Sequence, residues 1–214
     1  MNRFKDLILA MPENEQAFTS QKQTWEKYLN NESSSSRLLN DFFFNKDSIQ
    51  LSRQDLFNFA DEADLNQFVI ATILWGYPAG LRGNNFGNIS NNLEIIVSLL
   101  EKAKNGISDW NSHYKQVQEI KGLGLSTYTK FLYFLKVSVN SVPALIFDDR
   151  IIKTINNNVF LDFSSLNNIR SHNVHTHYPS YLTEMDKIAT KLKVKHGKLE
   201  MFIFEFGLNL KFIN

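Results

Sequence analysis

Ile120-Lys121-Gly122-Leu123-Gly124-Leu125-Ser126-Thr127-Tyr128-Thr129-Lys130-Phe131-Leu132 is the stretch on which the reading of this chain turns. Two glycines one residue apart divide a segment of helical character, expected to start at a capping Ser108 and end near residue 120, from an apolar segment over 127–139. A Gly-x-Gly connection of this kind builds a tight helical hairpin, because glycine accepts open backbone angles and the close approach of another chain. The amides that open the second helix then point outward. With the helix dipole they form a place for one phosphate group. A helix that simply ends on a glycine leaves the same pattern.

Two further features follow within thirty residues. Lys130 is the first basic residue of the apolar segment. Desolvation favours the neutral form of an amine, and a neutral amine is a nucleophile; a lysine that snorkels to solvent is the plainer alternative. Phe147-Asp148-Asp149-Arg150-Ile151 then places two acids after an apolar run, where an aspartate caps a helix. The interval from 130 to 148 leaves room for one helix and one return connection, which brings both side chains to a common cleft.

Outward from this centre the pattern stays helical. Residues 15–28 read as an exposed helix and 30–36 as a turn-rich linker. Ser52 with Asp55 reads as a capping box opening a helix through residue 61. Asp64 caps a buried helix over 64–75, residues 76–87 form a Gly/Asn-rich loop, and 90–104 carry helical spacing up to Asn105-Gly106. Residues 161–180 look polar and irregular, and two closing helices follow over 181–194 and 198–210. Only 142–147 has β character, and Pro143 argues against a central strand. The expected division is an N-terminal helical segment and linker (1–63) and a helical core (64–214) with its hairpin at 120–126.

Composition narrows the options. The 214 residues are 43% hydrophobic and 13% aromatic, with 18 Phe, which is a globular balance. The chain has no Cys, so disulfides, zinc–thiolate sites and iron–sulfur clusters are excluded. The net charge of +1 supplies no global basic excess. Lys187, Lys191, Lys193, Lys195, His196 and Lys198 do cluster, as a local positive face or as a solvated helix surface. His172, His175 and His177 lie in a polar loop without the partners a metal site needs, so no metal is expected. The apolar run 7–11 is too short to span a membrane.

The order of hairpin, lysine-bearing helix, Pro-containing return and aspartate resembles the helix-hairpin-helix superfamily of DNA glycosylases. Within it the chain is most similar to the 8-oxoguanine DNA glycosylase-like proteins of bacteria and archaea. Phe147-Asp148-Asp149-Arg150-Ile151 matches that group's aromatic-Asp-x-Arg-aliphatic motif. Trp75-Gly76-Tyr77-Pro78 with Arg82-Gly83-Asn84-Asn85, and Leu199-Glu200-Met201-Phe202-Ile203-Phe204-Glu205-Phe206-Gly207, resemble two more of its segments. There are two departures. Lys121 stands where better-known members have Pro, and Ser126 stands where they carry the reactive lysine. Lys130 comes one turn later, about 6 Å further along the helix.

The resemblance implies an all-α fold of two helical lobes with a cleft between them. It implies removal of an oxidised purine such as 8-oxoguanine by base flipping, with AP lyase activity through a lysine Schiff base. Lys130 and Asp148 are the implied catalytic pair. Gly122, Gly124, Lys121, Ser126 and Arg150 would contact DNA, and Trp75, Tyr77, Asn84 and Phe206 would line the base pocket. Double-stranded DNA with a damaged base is the expected partner. No cofactor, no metal and no membrane is expected, and the chain would act as a monomer in the bacterial cytosol or nucleoid. A non-catalytic helix-hairpin-helix module that binds DNA is the alternative.

Overall fold

The computed structural model describes residues 1–29, 33–62 and 64–210. It is mostly helical, as expected, with two small antiparallel sheets. A short helix α1 (Lys5–Leu9) leads to strand β1 (Ala17–Gln21), α2 (Lys22–Leu29) and α3 (Ser34–Phe42). Strand β2 (Ser48–Ser52) then pairs with β1, with Ala17 opposite Ser52 and Gln21 opposite Ser48. The exposed helix expected over 15–28 is therefore half strand, and α2 buries Trp25, Tyr28 and Leu29. The inward side chain of β1 is polar: Ser20 donates to the Leu74 carbonyl at 3.0 Å and accepts from the Trp25 indole. That buried serine hides the strand from any hydrophobic pattern. Of the expected linker, residues 30–32 lie outside the described residues, and Ser33 caps α3 through the Ser36 amide.

The capping box forms as read. The Ser52 amide donates to Asp55 Oδ2 at 2.7 Å and the Asp55 amide donates to Ser52 Oγ at 3.2 Å, opening α4 (Arg53–Glu62). Asp64 accepts two amides at the start of α5 (Leu65–Gly76). This helix is buried on nearly every face and packs against α4, β1, α7 and α9. The expected Gly/Asn loop contains a further helix, α6 (Asn85–Asn91), before α7 (Leu93–Ala103).

Asp109, rather than Ser108, caps α8 (Trp110–Gln118). A turn through Gly122 and Gly124 leads into α9 (Leu125–Phe134), and the two helices meet where His113 Nε2 lies 2.5 Å from the Tyr128 hydroxyl. A two-residue hairpin, β3 (Ser138–Val139) and β4 (Val142–Pro143), reverses the chain through Asn140 and Ser141, both at positive φ. Residues 144–147 run extended and buried into α10 (Asp149–Asn156).

The long α11 (Val174–Leu192) starts seven residues before the expected helix and contains Pro179. Proline removes the bond to the carbonyl four residues back. That carbonyl, of His175, instead accepts from Trp110 Nε1 at 2.8 Å. α12 (His196–Phe206) closes the fold. Residues 1–63 supply Ile8, Trp25, Leu39, Leu51 and Leu56 to the same hydrophobic core as α5, α9 and α12. No helix among the described residues is long and apolar enough to cross a membrane.

Candidate active site

A pocket of about 210 Å³ is walled by Gln16, Phe18, Arg53, Trp75, Gly76, Pro78, Lys130, Ile146, Asp148, Glu200 and Phe204. These come from β1 and the residue before it, α4, the end of α5 and the loop that follows, α9, the return into α10 and α12. The pocket thus brings Lys130 and Asp148 together.

Lys130 sits in the middle of α9 and is 5% exposed. Its side chain leans toward the helix N-terminus, as long helical side chains do. Nζ donates to Ser126 Oγ at 2.9 Å and to the Ser126 carbonyl at 3.2 Å. The amine therefore reaches the level of the residue one turn earlier. It also lies 5.1 Å from the centre of the Tyr77 ring, a cation–π distance. Tyr77 is held in turn by hydrogen bonding to Thr127 Oγ1 at 2.7 Å. The lysine stem passes directly over Gly76, where an added Cβ would stand 3.0 Å from Cδ and 3.1 Å from Cε.

Asp148 is the N-cap of α10, with Oδ1 accepting the amides of Arg150 at 3.0 Å and Ile151 at 3.2 Å. Oδ2 accepts no hydrogen bond among the described residues, so one oxygen remains for whatever enters the pocket. The cap belongs to Asp148; Asp149 is exposed and paired with Lys153 one turn on. The return leading to Asp148 is pinned from both sides. The Phe147 amide donates to Thr129 Oγ1 at 3.1 Å, which ties together the residues immediately preceding Asp148 and Lys130. Tyr178 and Tyr181 of α11 donate to the carbonyls of Leu145 and Ile146, and Phe147 stacks on Tyr181 with ring centres 4.4 Å apart.

The pocket floor is ionic. Arg53 and Glu200, 1% and 0% exposed, form a buried pair at 2.7 Å. Arg53 Nε donates to Gln16 Oε1 and Nη1 to the Tyr133 hydroxyl, which donates onward to Glu13. Burial pushes the Glu200 carboxyl above the usual carboxylate range; Arg53 opposes the shift and the Asp148 carboxylate adds to it.

At the hairpin, Gly122 adopts φ +85°, and an added Cβ would lie 2.8 Å from the Asn85 carbonyl oxygen. Its backbone is thus pressed against α6. Gly124, at φ −87°, caps α9 and has nothing within 4 Å of an added Cβ. The amides of Gly124, Leu125 and Ser126 have no acceptor among the described residues, as expected for the first turn of a helix. Lys121 is exposed beside them.

Other expected site residues stand elsewhere. Arg150 is half-buried, donates through Nε to the Phe204 carbonyl at 3.0 Å and stacks on the Phe204 ring, so it ties α10 to the end of α12 instead of facing an open surface. Phe206 is 37% exposed and does not line the pocket; Phe204, on the facing side of α12, does. Asn84 is exposed and outside the pocket, beside Gly87. Trp75 lines the pocket, edge-on to Phe18. His175 stacks on Tyr114, and no group of three or more His, Asp or Glu among the described residues is placed to hold a metal ion.

Sequence reasoning missed the residues that the N-terminal segment brings to the pocket: Gln16, Phe18 and Arg53. Nothing local marks them, since their partners lie 37 to 189 positions away. Glu200 and Phe204 fell within a quoted motif, and their spacing of four, one helical face, was the available signal.

No curated protein and no solved structure matches the chain. The family described as "Putative 8-oxoguanine DNA glycosylase OGG-like protein" matches residues 12–204. That span takes in the hairpin, both halves of the pocket wall, Lys130 and Asp148, and by it the chain belongs to the OGG-like family, with a DNA glycosylase-like role.

Proposed function

We propose that this protein excises an oxidised purine such as 8-oxoguanine from double-stranded DNA in base excision repair, and that it cuts the resulting site through a Schiff base on Lys130. One observation carries this reading: a buried lysine and a half-free aspartate, eighteen residues apart, share the wall of one pocket. A module that only holds phosphates has no use for that pair.

A base must leave the duplex stack to reach such a pocket. The unpaired amides at the start of α9, with exposed Lys121 beside them, suit one backbone phosphate, which fixes position without reading sequence. Phe18, Trp75 and Phe204 offer apolar surface to the extruded base. Lys130 then attacks C1′ as the bond from C1′ to the base nitrogen breaks, and the base departs with the bonding pair and takes up a proton. The Asp148 carboxylate opposes the positive charge that develops on the sugar. Loss of a proton from the new C–N bond and opening of the C1′–O4′ bond give the imine. Removal of a C2′ proton then expels the 3′ phosphate.

The test is a panel of lesion-bearing duplexes incubated with borohydride. Wild-type protein should leave a trapped covalent adduct, and Lys130→Gln should remove both adduct and base release while remaining folded. Trapping that survives in Lys130→Gln assigns the nucleophile to another amine such as Lys121 or Lys136. Base release without any trapping in the wild type assigns it to water.

A further inference from the structure

The floor of the pocket holds two buried polar groups that the fold leaves incomplete. Of the Arg53 guanidinium, Nε and Nη1 are engaged by Gln16, Tyr133 and Glu200, but Nη2 makes no hydrogen bond among the described residues. Glu200 binds Arg53 through Oε2, while its Oε1 is buried without a partner. A buried acceptor without a partner, as Glu200 Oε1 is, is costly in an interior and rarely kept without a use. Both residues line the pocket that contains Lys130 and Asp148. Neither is free to swing. Gln16, which receives Arg53 Nε, is itself held by Glu205 at 2.6 Å, and Tyr133 is anchored to Glu13 at 2.7 Å.

We infer that Arg53 Nη2 and Glu200 Oε1 form a donor–acceptor edge that reads the lactam edge of the six-membered ring of the extruded base, C6=O beside N1–H, and not the C8=O and N7–H that all 8-oxopurines share. Resting on the glycosylase reading above, this assigns substrate class to the pocket floor. Guanine-type and hypoxanthine-type bases present the carbonyl O6 next to N1–H, so the carbonyl accepts from Arg53 and the N–H donates to Glu200. Adenine-type bases present the opposite order, an amino group beside a bare ring nitrogen. They would set donor against donor and leave the carboxylate oxygen facing a lone pair. Sites built to hydrogen-bond a substrate reject mismatched analogues strongly, because the site's own buried groups are stranded. The ion pair gives the edge its polarity, and the Gln16, Tyr133 and Glu13 contacts fix its direction.

The test uses the wild-type protein and three duplexes that differ only in the damaged base: 8-oxoguanine, 8-oxohypoxanthine and 8-oxoadenine, each opposite cytosine. Single-turnover release should be similar for the first two, within about tenfold, and slower by about 10³-fold or more for 8-oxoadenine. Release of 8-oxoadenine within tenfold of 8-oxoguanine overturns the inference. Glu200→Gln, which places both a donor and an acceptor on the floor, should narrow the guanine-to-adenine ratio by at least about tenfold; an unchanged ratio in a folded variant also overturns it. If that variant does not fold, the wild-type panel decides alone. Absence of release from every duplex, together with no adduct on a preformed abasic site, overturns the glycosylase reading and the inference with it. Release without discrimination overturns the inference only.

Discussion

Replacing Gly76 with alanine separates stability from chemistry at this site. Gly76 is the last residue of α5, and the stem of Lys130 crosses it. An alanine Cβ would meet Lys130 Cδ at 3.0 Å and Cε at 3.1 Å. Ordinary carbon–carbon contact is about 3.5–4.0 Å, so the stem must retreat by about 0.5–1 Å. The amine is tethered to Ser126 Oγ and carbonyl at 2.9 and 3.2 Å, and a displacement of that size spoils both bonds or moves Nζ with the stem. A misplacement of about 1 Å costs about 10²-fold in rate, so attack should slow by about 10–100-fold, or about 1.4–2.7 kcal/mol in the barrier. Backbone energetics run the other way. Alanine is the better helix former by up to about 1 kcal/mol, so the melting temperature should hold or rise slightly. The assay is single-turnover borohydride trapping on a preformed abasic duplex, alongside thermal denaturation. Wild-type trapping rates in a normally folded Gly76→Ala protein would refute the claim that Lys130 reacts from the place where the structure holds it.

Asp148→Asn should abolish turnover with little loss of stability, because asparagine caps a helix about as well as aspartate, whereas Asp148→Ala should also lose about 1 kcal/mol in a denaturant melt. Asp149→Asn should change neither, since its partner Lys153 is on the exposed face of α10. Gly122→Ala should destabilise the fold by about 1–2 kcal/mol, being forced to a positive φ and against the Asn85 carbonyl, whereas Gly124→Ala should melt like the wild type. Gly124→Asp should weaken DNA binding equally for all sequences, with affinity falling as salt rises; a sequence-dependent loss in a binding titration would remove the hairpin from the phosphate contact. Burial and Lys102 hold the His113 imidazole below its usual value, so the native state binds fewer protons than the unfolded one and stability should drop as pH falls below about 6.5. Melts of His113→Gln between pH 7.5 and 5 should show a shallower drop.

The helices announced themselves where their ends carry specific chemistry. The Ser52–Asp55 box, the Asp64 cap and the Gly122–Gly124 turn are local devices, complete within a few residues, and each forms where it was read. The failures are tertiary. Strand β1 has no alternating apolar face, since Ser20 points inward and is satisfied by a carbonyl of α5, and β2, whose Ile49 and Leu51 do alternate, is only five residues long. The first turns of α11 look like loop because Pro179 and two histidines sit in them, and they become helix because Trp110, 65 residues away, takes up the carbonyl that proline leaves free. Such repairs use partners that sequence proximity does not reveal.

The same distinction explains the pocket. Lys130 and Asp148 were legible because the two elements between them are short and because each sits in a motif of fixed order. The floor was not, since Arg53 and Glu200 pair across 147 residues and each alone reads as an ordinary surface charge. The displaced lysine is the sharpest case. Counted along the sequence, Lys130 stands one turn too late, and a reactive group set back by about 6 Å should miss its target. In the structure the side chain spends its length running back along α9 to Ser126, over a glycine that leaves room for it. On the proposed reading of Lys130 as the nucleophile, side-chain reach recovers the offset in backbone position. Positions 126 and 130 are therefore coupled on that reading: a lysine introduced at position 126 puts two amines where the structure accommodates one, so Ser126→Lys alone should lose trapping, and shortening Lys130 in the same protein should recover it.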